Sequence, residues 1–525
     1  MEKIEILMPG PEDAPKPPTP RAPVEVKRKP FPVDGRDRLV WLLGWLWCAL
    51  MWDVLSFPMD AVRYDIPLGL GVTVLVAAFY ALVWGYLGAP QTASGRWLLL
   101  GNLLLSLTFA LTSRSEWFRM WNGFFLILLT PIQLYEWIEG EEGKHPWFDP
   151  RMVIQRWAGG FQALFLDTGI NLDLARSLKH RKRKKILWVL AGLLMAVCLT
   201  VVVVPLLASA DALFDQILAR WTTQWLTWLL RTAGRWLCWL VLGAVAIPFL
   251  MSWLYSLRHP ETAPLPKIAG KSLTAEPVLW ITVLTVLDGL YLLFLAVQSM
   301  ALFGGPEYLA RAGISYADYA RSGFFQLVGV VFLNLSVLLL AVQLSRREGK
   351  GWRAVQCGGT VLILESFVLL VSAAWRMTLY VTTFGLTFKR VLTYWGMLVA
   401  AVFLVSALCK VWRPKFRFFR VLFGGSFALW LALNTINPAY LSAWYNVSIY
   451  ERCWQKNIET RVTVDAAYLT DLSYDVLGQL EHLEEPLTVD GVPLSEFIAL
   501  ERVRAAEDCR DWRSWNLSSY LAARP

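Results

Sequence analysis

PVLWITVLTVLDGLYLLFLAVQSM, residues 277–300, carries a single charged residue, Asp288. A helix rises about 1.5 Å per residue, so about 20 apolar residues cross a hydrocarbon core about 30 Å thick. This stretch is long enough, and stretches like it recur along the chain. Residues 39–57, 66–87, 97–112, 117–134, 186–207, 236–257, 277–300, 323–345, 354–376, 390–411 and 421–441 form eleven candidate spans. The third and fourth are short or interrupted, by Asn102 and by Asn122 and Pro131. The chain of 525 residues is 56% hydrophobic and 17% charged, a balance that excludes an ordinary soluble globular protein. The expected fold is all-α: an integral membrane bundle of about eleven transmembrane helices.

Everything between the spans organises around them. Residues 1–38 form a Pro-rich tail that cannot bury a core, with Pro9, Pro11, Pro15, Pro17, Pro18 and Pro20 among its residues. The spans divide into an N-terminal group of four (39–134) and a core group of seven (186–441), joined by 135–185. Within that joint, Val153, Trp157, Phe161, Leu164 and Phe165 fall at helical spacing ahead of the basic run Lys179–Lys185. That pattern predicts an interfacial helix ending in an anchor for anionic lipid. Trp221, Trp225 and Trp228 share one helix face and predict a second interfacial helix over 211–231. After 442 the chain turns polar. Leu469, Leu472, Val476, Leu480 and Leu483 predict an amphipathic helix, and another is expected from Ser495 to Arg510. Too polar to span, residues 442–525 are expected to form a small helical cap.

Basic residues set the orientation. With the tail inside, the inner loops hold Arg176 and the 179–185 run, then Arg258, Lys267 and Lys271, then Arg346, Arg347, Lys350 and Arg353, then Arg413, Lys415, Arg417 and Arg420. The outer loops are less basic for their length. This bias predicts a cytoplasmic N-terminus and an extracytoplasmic cap. It also accounts for the net charge of +9 without nucleic acid as a partner.

Polar groups inside spans come at a cost. Asp288 and Glu365 fall near the middle of their segments, and Asp53 near an end. A charge at such a depth costs on the order of 2.5–3.5 kcal/mol on insertion scales, so each either fixes helix register by a hydrogen bond or marks a pathway. Glu365, Ser372 and Arg376 share one helix face, as do Asp288, Tyr291 and Ser299. Two such faces in contact would make a polar track. The four His are scattered, and no GxxxxGK, HExxH or CxxC pattern occurs, so neither a metal nor a cofactor is expected. Cys453 and Cys509 alone lie in the cap, as two thiols or as a bridge.

Specific strings follow in order: SADALFDQIL (209–218), FGG (303–305), YADYARSGFFQL (316–327), FGLTFKR (384–390), NTINPAYLSAWYN (434–446), DAAYLTDLSYD (465–475) and DWRSWNLSSY (511–520). Over roughly residues 185–525 the chain resembles a bacterial family of polytopic membrane proteins catalogued only as a domain of unknown function. The resemblance implies location and architecture, and no chemistry. Ala439 stands where such proteins often carry an acidic or amide residue after the NP pair. The motif residues Arg321, Arg376, Tyr380, Arg390, Asn434, Asn437, Trp512 and Arg513 all fall toward the outer side. They serve either to dock the cap on the bundle or to line one outward-facing site beneath it. Three functions stay open: a transport or envelope-signalling component, an enzyme acting on a lipid-linked substrate at the outer face, or a structural envelope partner. The enzyme reading rests on layout and on Asp53, Asp60 and Asp65 near the first outer loop, and no catalytic motif supports it.

Overall fold

The computed structural model describes residues 31–56, 68–112, 115–138, 150–166, 169–178, 236–259, 274–303, 324–455, 465–483, 487–489 and 491–524. Among these the chain is helical almost throughout, and nine helices are long and apolar enough to cross a membrane. They are α1 (Gly35–Ser56), α2 (Leu70–Leu87), α3 (Ala93–Leu111), α7 (Trp236–Arg258), α8 (Pro277–Phe303), α9 (Phe324–Leu344), α10 (Gly349–Phe384), α11 (Phe388–Trp412) and α12 (Phe418–Ile436). The protein is an all-α, multi-pass membrane bundle.

Two expected spans need separate treatment. Residues 117–134 do form a helix, α4 (Glu116–Ile138), but it is less apolar than the nine. Its polar residues Arg119, Asn122 and Gln133 are buried against neighbouring helices, so lipid does not dictate its composition. The span over 186–207, the interfacial helix over 211–231, the basic run 179–185 and the tail 1–30 lie outside the described residues.

The helices alternate between two ends. At one end Asp34 and Asp37 open α1 with reciprocal bonds: Asp37 N–H donates to Asp34 Oδ1 and Asp34 N–H to Asp37 Oδ2, both at 2.8 Å. Arg258 closes α7 there, on Asp34 at 2.7 Å and Asp37 at 2.8 Å. Gly88, at φ +80°, ends α2 at the same end, and its carbonyl accepts from Trp137 Nε1 of α4 at 2.9 Å. The start of α8 is tied to the end of α9 by Ala275 N–H on Leu344 O at 2.7 Å. The opposite end collects the end of α1, the starts of α2 and α4, the end of α3, the α10–α11 turn and the turn that follows α12. All of these except α4 meet the C-terminal helices directly, as the contacts below detail; we call it the cap end.

Helix α10 is the axis of the C-terminal half. Its 36 residues reach about 54 Å, well beyond the 354–376 span expected from hydropathy. It packs on α8, α9 and α11 through a large shared core that includes Leu338, Leu362, Leu369, Ala373 and Leu404. A second core joins α1–α4 to α6 (Ile170–Leu178) and α7 at the end away from the cap. Helix α5 (Pro150–Leu166) confirms the expected helical spacing but packs on α4: Trp157 Nε1 donates to Leu128 O at 3.0 Å, and Arg156 pairs with Glu136.

Two boundaries differ from the sequence reading. The span expected over 421–441 stops at Ile436, because Pro438 lacks an N–H and disfavours a helical residue before it. Asn437 takes the left-handed conformation, φ 55°, and α13 (Pro438–Gln455) sets off in a new direction. The cap therefore begins at 438 rather than 442, since Ala439, Ala443, Val447 and Tyr450 belong to its core with Leu469, Leu480 and Ile498. The amphipathic helix expected through Leu469–Leu483 is instead α14 (Ala466–Thr470), a 3-10 turn (Tyr474–Val476) and α15 (Leu477–Leu480). Ser473 breaks it by capping the turn, its Oγ accepting from Asp475 N–H at 3.2 Å. A two-residue hairpin, Thr488–Val489 with Val492–Pro493, precedes α16 (Leu494–Asp508), close to the expected 495–510, and α17 (Leu517–Ala522) ends the cap.

Candidate functional site

Polar residues concentrate at two places, and they are built differently. The first is the junction of cap and bundle. Arg513 is 7% exposed and spans the junction: its guanidinium donates to Asp53 Oδ1 of α1 at 3.0 Å and to both oxygens of Asp511 at 2.6–3.2 Å. Its carbonyl accepts from Gly69 N–H at 2.9 Å and Gly71 N–H at 3.2 Å, and Trp515 O accepts from Leu70 N–H at 2.8 Å. The DWRSW segment thereby satisfies the free N–H groups that open α2. Asn516 does the converse for α3, donating to Phe109 O at 2.8 Å and Thr112 O at 2.9 Å. Trp512 stays on the surface, 44% exposed.

The remaining motif residues at this end also serve joints. Gly385, at φ +77°, ends α10. Asn446 of α13 grips the turn, accepting from Leu386 N–H at 2.9 Å and donating to Leu386 O at 2.7 Å. Tyr468 of the cap accepts from Phe388 N–H at 2.7 Å, and burial pushes its phenol above the ordinary tyrosine range. Arg390 donates to the carbonyls of Phe384 and Gly385 and lies 4.2 Å over the Tyr380 ring, so it closes the C-terminus of α10. Asn434 is fully buried: its Oδ1 accepts from Asn122 Nδ2 at 2.8 Å, while Trp430 Nε1 donates to Asn122 Oδ1 at 2.8 Å. Asn437 forms the hinge described above. Arg376 is buried on α10, eleven residues past Glu365. Arg321 and the side chain of Cys453 lie outside the described residues, as do Asp60 and Asp65. Cys509 ends α16, half-buried, with Sγ 4.0 Å from Asn516 O.

The second place is a three-helix meeting in mid-bundle. Helices α8 and α10 run parallel, with Pro277 against Gly351 and Leu284 against Gly358; α9 runs antiparallel between them, Leu338 touching Gly359. The glycines matter at this crossing. A Cβ on Gly359 would stand 2.7 Å from Leu338, and one on Gly358 3.3 Å from Leu284 and 3.7 Å from Asp288 Oδ2. Glu365 lies seven residues on from Gly358, on the face of α10 that meets α8, so Asp288, Tyr291 and Glu365 share this interface. Tyr291 OH donates to Asn334 Oδ1 at 2.7 Å, Asn334 Nδ2 to Ser366 Oγ at 3.0 Å, and Ser366 Oγ to Leu362 O at 2.7 Å. Glu365 is 4% exposed, and neither carboxyl oxygen has a hydrogen-bond partner among the described residues; the same holds for Asp288 Oδ1.

Sequence reasoning picked out the two acids and Tyr291 but not Asn334 or Ser366. The signal was the amide inside FLNLS (332–336), an uncompensated polar residue in an apolar run. It also passed over Asn446 and Tyr468 as working parts of the joint. Among the described residues no group of three or more His, Cys, Asp and Glu could hold a metal ion.

A family model described as a domain of unknown function (DUF4153) matches residues 99–483. The match starts upstream of the 185–525 resemblance, taking in most of α3 and all of α4, and stops before the DWRSWNLSSY string. No curated protein and no solved structure matches the chain.

Proposed function

Because the chain belongs to the DUF4153 family, which carries no assigned chemistry, we propose a function from its own residues: a transport or envelope-signalling component whose working site is the mid-bundle pair Asp288 and Glu365. The carrying observation is that both Glu365 carboxyl oxygens are buried without a partner beside a second acid. A register-fixing acid is expected to be hydrogen-bonded; an unsatisfied one retains its capacity to bind. The junction residues Arg513, Asn516, Asn446 and Tyr468 support the complementary reading, since each is engaged in joining cap to bundle. An outward-facing site beneath the cap therefore has less support than the pair in the membrane.

The protein sits in a bacterial cytoplasmic membrane with its N-terminus inside and its cap outside. The basic bias of the loops at the end away from the cap supports this orientation, and the run 179–185 then faces anionic lipid. Reporter fusions after Arg347 and after Arg513 are expected to read inside and outside, and two fusions reading the same side reject it. For the working site, the test is complementation of a deletion strain. Asp288→Asn and Glu365→Gln, each expressed at the wild-type level, are expected to lose function. Wild-type behaviour from both rejects the pair.

A further inference from the structure

Resting on the reading that Asp288 and Glu365 are the working site, we infer that the ligand they take is a small monovalent cation. The hydrogen bonds that the neighbouring polar side chains make are directed elsewhere: Tyr291 to Asn334, Asn334 to Ser366, and Ser366 to the Leu362 carbonyl. The series ends on backbone, and among the described residues no donor reaches Glu365 or Asp288 Oδ1. Three carboxyl oxygens, both of Glu365 and Oδ1 of Asp288, are thus buried and unengaged. An isolated carboxylate in a low-dielectric interior is strongly unfavourable unless something positive neutralises it.

No basic side chain described at this level does so. Arg376 is eleven residues from Glu365 on the same helix, about 16 Å along its axis. Helix α8 presents Asp288 and Tyr291 to the site, and α9 presents Asn334. Helix α11 is held in register by Gln356 Nε2 on Val411 O at 2.8 Å and by Tyr394 OH against Thr378 Oγ1 at 2.9 Å. That register puts the buried, apolar Ala400 and Leu404 at the height of Glu365. Tyr394 lies near Thr378 and Lys410 near the Pro414 carbonyl at 2.8 Å, toward the two ends of α11. Among the described residues no side chain supplies the positive charge.

Two observations fix its kind. The helices close on the site through Gly358 and Gly359, where even a methyl group meets Leu284 and Leu338, so a bulky organic cation does not fit. Calcium and magnesium demand six or more oxygen ligands. Here Asn334 Oδ1 and Ser366 Oγ already accept hydrogen bonds, and the four carboxyl oxygens of the pair fall short of six. A proton needs a single carboxyl oxygen, and an alkali-metal ion, though it takes a comparable number of oxygens, gives up its hydration water far more readily than magnesium or calcium.

The test uses the full chain in nanodiscs and reads its thermal midpoint. Ionic strength is held constant by exchanging choline for sodium, potassium or lithium, and pH is varied separately. Ligand linkage gives a shift on the order of 1–2 °C per tenfold change in cation activity. If the cation is a proton, the wild-type midpoint falls as pH rises relative to Glu365→Gln, and the alkali series is flat. If it is an alkali ion, the midpoint rises with that ion at fixed pH. Glu365→Gln removes the dependence, and Asp288→Asn provides a second variant should the first fail to fold. The inference is overturned if wild type responds to neither cation, if only magnesium or calcium stabilises it, or if the two variants respond as wild type does. The outcomes separate it from the functional reading: variants that complement yet lose the cation response leave a structural cation without a working site. Variants that fail to complement, with an unresponsive wild type, leave a working site for another ligand.

Discussion

The cap junction and the mid-bundle meeting contain similar side chains: acids, an arginine or tyrosine, and buried amides. In the junction the Arg513 guanidinium, the Asn516 amide and the N–H groups that open α2 have all found acceptors, and Arg513 alone joins α1, α2 and the last loop. In the meeting of α8, α9 and α10, the neutral groups are paired and the two acids are left over. Glu365, 4% exposed, is as deeply buried as Arg513, 7% exposed, so depth alone does not separate a structural polar group from a working one. Satisfaction does. A fully connected buried network rigidifies the fold, whereas an unconnected buried acid is unfavourable for the fold alone.

The sharpest way to break this contrast is to cut the junction. Arg513→Ala removes the guanidinium from the buried Asp53 carboxyl and from Asp511. Breaking one side of a buried pair costs about 3–5 kcal/mol. The expected result is a marked fall in thermal stability and early proteolytic release of the cap. Asp53→Asn combined with Arg513→Ala is expected to recover part of the loss, because the uncompensated charge is gone. An Arg513→Ala protein as stable and protease-resistant as wild type contradicts a structural junction.

A somewhat smaller effect is expected where backbone meets backbone. A Cβ on Gly69 would stand 2.2 Å from Trp515 O, so Gly69→Ala forces the DWRSW segment off the start of α2. Overpacking of this kind costs typically about 1–3 kcal/mol. Asn434→Ala falls in the same range, since it takes one acceptor from the buried Asn122 amide. Both are measured by thermal unfolding in nanodiscs. A Gly69→Ala chain with unchanged cap protection means that the contact is not what holds the segment.

The mid-bundle acids sharpen the comparison from the other side. Glu365→Gln replaces an unengaged carboxyl by an amide of nearly the same shape. With no partner lost, its stability is expected to stay within about 1 kcal/mol of wild type while function disappears. A loss as large as that of Arg513→Ala would place Glu365 among the structural groups.

The division between legible and hidden parts of this molecule follows the same physics. Spans are read from composition because lipid tests every side chain along about 30 Å. Among the described residues the helices that hydropathy found are present, and α4 was among the least apparent because protein, not lipid, surrounds Arg119, Asn122 and Gln133. Acids in apolar runs announce themselves for the same reason, which is why Asp288 and Glu365 stood out. Their surroundings did not. That Asn334 and Ser366 pair with each other rather than with Glu365 depends on the register of three helices, which no local pattern encodes. The cap is less legible still: its leucine spacing suits one helix, and the local bonds of Ser473 divide it. The Arg513–Asp53 pair is 460 residues apart in sequence, and only the folded chain brings it together.

The smallest effect is expected at the end away from the cap, where a third polar group tests how far satisfaction alone predicts stability. The Arg258 guanidinium beside Asp34 holds that carboxyl well below the usual carboxylate range. Because the folded value is depressed, the contribution is fully present above the ordinary aspartate value of about 3.9 and is lost as pH falls through the folded value. Asp34 is 48% exposed on its side chain, so solvent screens the pair and the contribution stays within the range of a surface ion pair, about 0–1 kcal/mol. Asp34→Asn is therefore expected to leave the midpoint at pH 7 nearly unchanged and to flatten the acid limb of the stability profile below about pH 4. Asp37, bonded to Tyr86 OH at 2.7 Å and 1% exposed, still holds Arg258 in that variant. If Asp34→Asn instead destabilises the protein as much as Arg513→Ala does, exposure is a poor guide here. The α1 box and its arginine would then rank with the cap junction as a principal joint of the fold.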